Sequence, residues 1–305
     1  MPVHLIFNPA AKSGKIRKFI PQLEELMNLH FGTAWELQAT QKTGDATDFT
    51  RKAIRENARL IIAAGGDGTV HEVVNGFFHK GQLINGNCEL GILNFGTGHD
   101  FSRSLNLPKS LEAQFEVLKG SAQPVDVGSI SFQTKDGNRK SAYFINECQA
   151  GIGGIVAQKV HKGHKRLGGK LAFGWVSLQQ ALLGKANSIE VQIDGRSSIQ
   201  QELLALVMAN GAYMGAGMQT TPNASIQDGK LDILFIQNMS LLQRLLNFPK
   251  IYSGTHLKSR FIHLERGQKV VVSSTEKVPI EADGEFLGYL ACEVELLKAA
   301  LKVKF

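Results

Sequence analysis

The amino-acid sequence predicts two domains: an N-terminal α/β domain built on a parallel sheet, then a C-terminal antiparallel β-sandwich. Three observations carry that expectation. Up to about residue 118, strand-like apolar runs alternate with helix-spaced apolar residues, and repeated β-then-α units place helices on both faces of a parallel sheet. From residue 125 the texture changes to short β-like runs separated by turn signals such as Asp136-Gly137-Asn138, Asp194-Gly195 and Arg266-Gly267. Finally, 305 residues accommodate two modest cores more readily than one large one. The boundary is expected near Gly128, giving domains of 1–128 and 129–295.

Taken in order, residues 3–8 (VHLIFN) read as a strand, and Phe19, Leu23, Leu26 and Met27 give 15–30 helical spacing. Residues 34–40 (AWELQAT) alternate like a strand, and Gly44-Asp45 precedes a helix to about 58. Residues 60–64 form a third strand with a helix at 70–79, and 89–94 (ELGILN) a fourth, leading through Gly96-Thr97-Gly98 into another helix. After Asn106-Leu107-Pro108 a helix runs to Leu118, and Gln123-Pro124 ends it. The second domain is expected to use strands at 125–133, 141–147, 188–194, 202–209, 231–237, 260–265, 269–274, 278–282 and 292–297. Helices near 153–183 and 240–257 interrupt them.

The chain is organised around residues 60–76. An apolar run breaks at Gly65-Gly66-Asp67-Gly68-Thr69, then Val70, Val73, Val74 and Phe77 return at helical spacing. A turn that sharp needs glycine, and the N–H groups at its helix start can face an anion. Asp67 would repel a phosphate unless it meets a metal or a donor, so the combination points to a nucleotide with a divalent cation. The competing reading is an ordinary strand-to-helix turn. The loop is neither a P-loop, since no G-x-x-x-x-G-K-[ST] occurs, nor a G-x-G-x-x-G dinucleotide turn. In a parallel sheet, ligands sit beyond the carboxyl ends of the strands. Those ends carry Asn8, Thr40, Gly66-Asp67-Gly68 and Gly96-Thr97. Asn8, Ser13 and Thr40 also suit plain turn-forming or capping roles.

Composition is that of a soluble globular chain, 43% apolar and 20% charged, with net charge +7, which suits an anionic partner. Cys88, Cys148 and Cys292 form neither a metal-ligand spacing nor a disulfide framework, which fits a reducing cytosol. No signal peptide is visible, and no apolar run approaches the roughly eighteen residues of a membrane span. Between Lys159 and Lys170 (KVHKGHKRLGGK) lie five cations and two histidines with no acid. This is either a solvated helix face or a contact for anionic lipid headgroups, where each cation contributes on the order of 1 kcal/mol. Nucleic acid is disfavoured, because no aromatic residues interleave it. Asp228-Gly229-Lys230-Leu231-Asp232 reads as a hairpin turn, and Asp283-Gly284-Glu285 as a turn that exposes carboxylates.

Gly65-Gly66-Asp67-Gly68-Thr69 resembles the nucleotide loop of diacylglycerol kinase-type lipid kinases, bacterial and sphingosine or ceramide kinases among them. NAD kinases and 6-phosphofructokinases carry a related loop. Further motifs favour the lipid kinases: NPAAKSG at 8–14, Thr40 before Gly44-Asp45-Ala46, GTGHDF at 96–101, DGKLD at 228–232 and DGE at 283–285. His71 and His99 stand where that family usually has Asn.

The resemblance implies an NAD-kinase/diacylglycerol-kinase-like fold with the nucleotide site in the cleft, and a segment of about 296–305 that returns to the first domain. It implies ATP-dependent transfer of the γ-phosphoryl group to a lipid hydroxyl, with ATP and Mg²⁺ as cofactors. ATP would be bound by Asn8, Ser13, Gly14, Thr40, Gly65, Gly66, Asp67, Gly68, Thr69, Val70, His71, Glu72 and Thr97. Asp228, with main-chain carbonyls of Ser225 and Lys230, would hold a structural Mg²⁺, and Asp126 would reach it through water. Asp283 would be the catalytic base, with Glu285 orienting it or acting as base itself. The partner is a lipid, diacylglycerol or a relative, at an anionic membrane surface visited from the cytoplasm; a homodimer is an open option. Two alternatives stand: an NAD kinase-like enzyme with a soluble substrate, and a nucleotide-binding regulator without turnover.

Overall fold

Alternation of apolar β-runs with amphipathic helices produces, in the computed structural model, the parallel sheet expected of the first half. Residues 2–96, 98–134, 136–163 and 169–305 are described. The chain divides into two units, the first 1–126 with 299–305 and the second 127–298.

The first unit contains β1 (Val3–Phe7), α1 (Ile20–Phe31), β2 (Trp35–Ala39), α2 (Asp45–Arg55), β3 (Leu60–Gly65) and α3 (Asp67–Phe77). A two-residue hairpin follows, β4 (Phe78–His79) with β5 (Gln82–Leu83), then β6 (Glu89–Asn94), α4 (Asp100–Ser104) and α5 (Leu111–Lys119). β2, β1, β3 and β6 pair in that order, all parallel, in registers that set Phe7 beside Ala39 and Ala64, and Gly65 beside Asn94. Leu5, Phe7, Ile62, Ala64 and Leu93 from the strands bury against Leu23, Met27 and Phe115 from the helices. The expected helix over 15–30 is shorter than its periodicity: 11–19 winds as a 3-10 helix, and α1 starts where Pro21 fits the first helical turn. α2 lies so close to α3 that a Cβ at Gly76 would stand 2.5 Å from Thr50 Cβ.

In the second unit the strands are β7 (Ala122–Gln133, entering from the first unit), β8 (Arg139–Phe144), β9 (Glu147–Gly151), β10 (Asn187–Ile193) and β11 (Ile199–Ala209). β12 (Leu231–Gln237), β13 (Ile262–Gly267), β14 (Lys269–Ser273), β15 (Pro279–Ala282) and β16 (Glu285–Lys304) complete them. Antiparallel pairing runs β13-β12-β11-β10-β14-β16, with β9 bridging β11 and β15. Ile189, Val191, Leu206, Met208, Ile233, Phe235, Val270, Val272 and Val294 fill its core. The helices are α6 (Ile152–Gly163), α7 (Gly169–Leu183) and α8 (Leu241–Asn247). The strand expected at 141–147 is two strands, because the N–H groups of Ile145 and Asn146 leave the ladder for a carboxylate described below. All three cysteines are buried and free; burial pushes the thiols of Cys88 and Cys292 up to about 12.

β16 is far longer than the expected 292–297, and its last residues re-enter the first unit. There Lys302 and Val303 pair parallel with Glu89 and Leu90. Two further ties hold this return. The buried Asp126 accepts a 2.7 Å hydrogen bond from the Ala299 N–H, and Lys304 Nζ lies 2.6 Å from Gly120 O and 3.2 Å from Glu89. A part-buried bond to the exposed Ala299 contributes about 1 kcal/mol. Asp126→Ala should therefore lower unfolding free energy by about that amount in a denaturant titration, whereas Asp126→Asn, which keeps an acceptor oxygen, should lose less.

Candidate functional site

The backbone ladder continues one residue past each parallel strand and so aligns the turns at their carboxyl ends. Asn8 N–H donates to Ala64 O at 3.0 Å, Thr40 N–H to Phe7 O at 2.9 Å and Phe95 N–H to Gly65 O at 2.8 Å. Asn8 then joins two turns: its Oδ1 accepts from Ala10 N–H at 3.0 Å and its Nδ2 donates to Thr69 Oγ1 at 3.1 Å. Gly65 and Thr69 are packed so tightly that a Cβ at Gly65 would lie 2.3 Å from Thr69 Oγ1. The turn after β3 also touches the turn after β6. A Cβ on Gly96 would sit 2.6 Å from Gly66 Cα, and one on Gly66 would sit 3.1 Å from Gly96 Cα. A side chain at Gly96 would strike the Gly66 backbone, and one at Gly66 would fit only if its neighbour gave way slightly.

Asp67 opens α3 and reaches across to α4. Its Oδ1 accepts from the Asp100 N–H at 3.1 Å and the Phe101 N–H at 3.4 Å, so it closes the N-terminus of that short helix. Its other oxygen faces Gly98, where a Cβ would lie 2.6 Å from Asp67 Oδ2 and 3.4 Å from Asp100 Oδ2. Asp100 is buried, with Arg103 at 3.3 Å. Asp67 and Asp100 thus flank one glycine beside helix N-terminal N–H groups; a Mg²⁺ carried in on phosphates, an ion held by one or two carboxylates and several waters, would meet Asp67 there and share Asp100 with Arg103. Asp100 was not singled out from sequence, although it sits inside the GTGHDF motif. His99 takes φ 62°, in the left-handed region where Asn and His are both enriched, which accounts for a histidine at a position usually Asn.

The other expected nucleotide residues are dispersed along these elements. Thr40 is half-buried at the end of β2, and the loop after it is pinned by Asp45, whose carboxyl the Gln41 and Lys42 N–H groups hold below its usual range. Gly14 turns the first loop at φ 83°. Gly68 is half-buried in the first turn of α3. Val70 is buried in the core, and His71 packs beside Asn75, whose Nδ2 is 3.4 Å from its Nε2. Glu72 ties α3 to α2, accepting from the Ala46 N–H at 3.2 Å while its carbonyl takes the Thr47 hydroxyl at 2.8 Å. Thr97 lies outside the described residues, as do the Ser13 side chain and most of the basic run at 159–170.

In the second unit Asp283 occupies the turn between β15 and β16 at φ 49°. Its oxygens accept three backbone N–H groups: Ile145 at 3.1 Å, Asn146 at 3.0 Å and Glu147 at 3.1 Å. Its own N–H returns to Glu147 O at 2.9 Å. Glu281, nearly wholly buried, accepts from the Gly284 N–H at 2.9 Å. Glu285, two residues on, is only half-buried. The turn therefore has two carboxylates built into its backbone and one beside them.

At the expected structural cation site, the Asp228 carboxylate accepts from the Lys230 N–H at 3.0 Å and pairs with the Arg266 guanidinium. Arg266 Nε lies 3.5 Å from the buried Asp232 as well, and that bond to Asp228 first, then both carboxylates, raises the Arg266 pKa. Burial raises the Asp232 carboxyl, and Arg266 opposes the rise. A guanidinium already neutralises the carboxylate that would anchor a cation, so a Mg²⁺ held by Asp228 with the Ser225 and Lys230 carbonyls would have to displace Arg266. Asp126, expected to reach that ion through water, is engaged by Ala299 in the first unit. The melting temperature should accordingly be the same in Mg²⁺ and in EDTA. A Mg²⁺-dependent rise that vanishes in Asp228→Ala would show an ion displacing Arg266.

Comparison with known proteins bears on family and fold. Residues 2–130 match the diacylglycerol kinase catalytic domain, and residues 146–305 match the YegS C-terminal NAD kinase beta sandwich-like domain. A diacylglycerol kinase of Bacillus subtilis (strain 168) is 28% identical over 291 residues, covering 95% of this chain and 91% of that one. The diacylglycerol kinase of Staphylococcus carnosus (strain TM300) is 28% identical over 302 residues, covering 98% and 93%. Among solved structures, a diacylglycerol kinase from Bacillus anthracis str. Sterne superposes with TM-score 0.70 at 23% identity, over 100% of this chain and 96% of that chain. Yeast NADH kinase does so with TM-score 0.50 at 11% identity, over 99% and 82%, a likeness of fold. The chain belongs to the family marked by the YegS C-terminal NAD kinase beta sandwich-like domain, matched over 146–305, and carries a diacylglycerol kinase catalytic domain at 2–130.

Proposed function

We propose that the protein is a lipid kinase that transfers the γ-phosphoryl group of ATP to the hydroxyl of diacylglycerol or a related lipid. The observation that carries this reading is the joined pair of turns at Gly66 and Gly96, with Asp67 and Asp100 beside them at the half-buried start of α3. Relatives named diacylglycerol kinase over nearly the full length support the lipid acceptor.

Phosphoryl transfer needs positioning and charge neutralisation more than covalent help. Backbone N–H groups at Gly66 and Gly68 and the hydroxyl of Thr69 would cradle the phosphates, with Asn8 fixing that hydroxyl and Gly14, Thr40 and Gly65 shaping the rim. The remaining positions of α3, Val70, His71 and Glu72, hold the helix in place. Asp67 and Asp100 would hold the Mg²⁺ of the nucleotide, which shields the charge that builds up on the phosphates. Both Asp283 oxygens are engaged by N–H donors, so its role is to position the turn, and Glu285 is the group left to accept the proton of the attacking hydroxyl. No helix among the described residues is long and apolar enough to cross a membrane. The enzyme would therefore meet its substrate at the bilayer surface.

Two variants test the assignment. Asp67→Asn retains the oxygen that closes α4 but removes the charge, so it should keep the melting temperature and lose kcat by roughly a hundredfold or more, with weaker Mg²⁺-ATP binding. Glu285→Gln should lower kcat by roughly a hundredfold or more with ATP affinity unchanged, whereas Asp283→Asn, which turns an amide toward three N–H donors, should lower melting temperature and activity together. Full rate in Glu285→Gln would remove it as the base.

A further inference from the structure

Helix α8 is folded inside out. Its four leucines, Leu241, Leu242, Leu245 and Leu246, are 51%, 66%, 49% and 61% exposed, while Arg244 and Asn247 on the opposite face are each 9% exposed. An ordinary surface helix does the reverse, burying its apolar stripe. The spacing i, i+1, i+4, i+5 puts all four leucines on one side. The inversion has a definite cause. The Arg244 guanidinium is sunk against neutral acceptors: Leu182 O at 3.1 Å, Gly184 O at 2.6 Å, Asn238 Oδ1 at 3.1 Å and, through Nε, Met239 O at 2.8 Å. Two of these are carbonyls at the C-terminal end of α7, where a cation is favoured by the helix dipole. Arg244 thus fastens α8 to the end of α7 by its polar face and leaves the leucines outward. Exposed Leu183 at that end and exposed Tyr252 after α8 extend the apolar surface.

The segments that carry this surface bear charge of one sign. No Asp or Glu occurs between Asp232 and Glu265, nor between Glu147 and Glu190, the two stretches that contain α8 and the α6–α7 helices. Lys250, Lys258 and Arg260 are exposed after α8, and Lys185 is exposed after α7. An apolar face on segments that carry cations and no acid is complementary to an anionic bilayer, where leucines enter the acyl boundary and lysines remain at the headgroups. A second copy of this chain would bring the same cations against one another.

We propose that the leucine face of α8, with Leu183 and Tyr252, is the surface by which this protein enters an anionic lipid bilayer. The proposal deepens the lipid-kinase reading and rests on it for the reason a bilayer is visited, but its physical test is separate. Full-length protein is sedimented with phosphatidylcholine–phosphatidylglycerol vesicles, and phosphorylation of a short-chain, water-soluble diacylglycerol is measured in parallel. Wild type should bind, less on pure phosphatidylcholine and less at high salt. Leu242→Glu combined with Leu246→Glu should reduce vesicle partition by about tenfold or more, at unchanged melting temperature and unchanged rate on the soluble acceptor. Leu29→Glu, at a leucine 74% exposed on α1, should change neither. Absent vesicle binding by wild type, or undiminished binding by the double variant, overturns the proposal. So does a double variant that halves the mass seen by light scattering while binding vesicles normally, since the face would then join two copies. Leucine-dependent binding without phosphorylation of any diacylglycerol, or of any lipid in a total lipid extract, supports the surface and sinks the lipid-kinase reading instead.

Discussion

The first unit depends on two backbones that touch. Gly66 and Gly96 follow neighbouring parallel strands; a methyl group on Gly96 would collide with the Gly66 Cα, and one on Gly66 would crowd the Gly96 Cα. Their contact lets Asp67, at the start of one helix, close the N-terminus of the next, and brings Asp100 to the same glycine as Asp67. Asn8 adds the turn after β1 by its bond to Thr69. Three successive turns are thus linked through short polar bonds, and helix N-termini are held at the edge of the sheet where an anionic ligand is favoured. Were the glycines bulkier, the strands would still pair and the core would still fill, but the turns would separate.

The second unit uses the same device of carboxylates that serve backbone N–H groups. Asp283 ends one strand by taking the N–H groups of residues 145–147, which opens the gap between β8 and β9. Arg244 does the opposite with carbonyls, and by doing so fixes which side of α8 is wet. In both cases a charged side chain is satisfied by main-chain dipoles, an arrangement that compensates the desolvation of the charge and leaves other groups available. Glu285 and the leucines are what remain uncommitted beside Asp283 and Arg244.

Much of this was legible in the residues alone. The parallel order of apolar runs, the glycine-rich break at 65–68 and the β-rich second half follow from periods of two and 3.6 and from turn chemistry, all local properties. What was illegible depends on partners distant in sequence. Nothing near Asp283 announces that its acceptors' donors lie at 145–147, and nothing near Asp228 announces Arg266. The length of β16 was hidden by its exposed polar residues, such as Glu295 and Lys298, and by aromatic positions that are only half-buried. A helix near 240–257 was expected there, yet periodicity cannot tell an inverted helix from an ordinary one; only the burial of Arg244 does. Asp100 was not singled out, because only the fold brings it to the same glycine as Asp67.

The central claim is that the joined glycine turns deliver a phosphoryl group to a lipid hydroxyl. The most direct measurement supplies ATP labelled at the γ-phosphate, with Mg²⁺, to the full-length protein beside a total lipid extract and, separately, beside NAD, and asks where the label goes. The account predicts label in an organic-soluble, phosphatidic acid-like product and none in NAD. Label in NAD, or ATP binding with no labelled product from either, would contradict it.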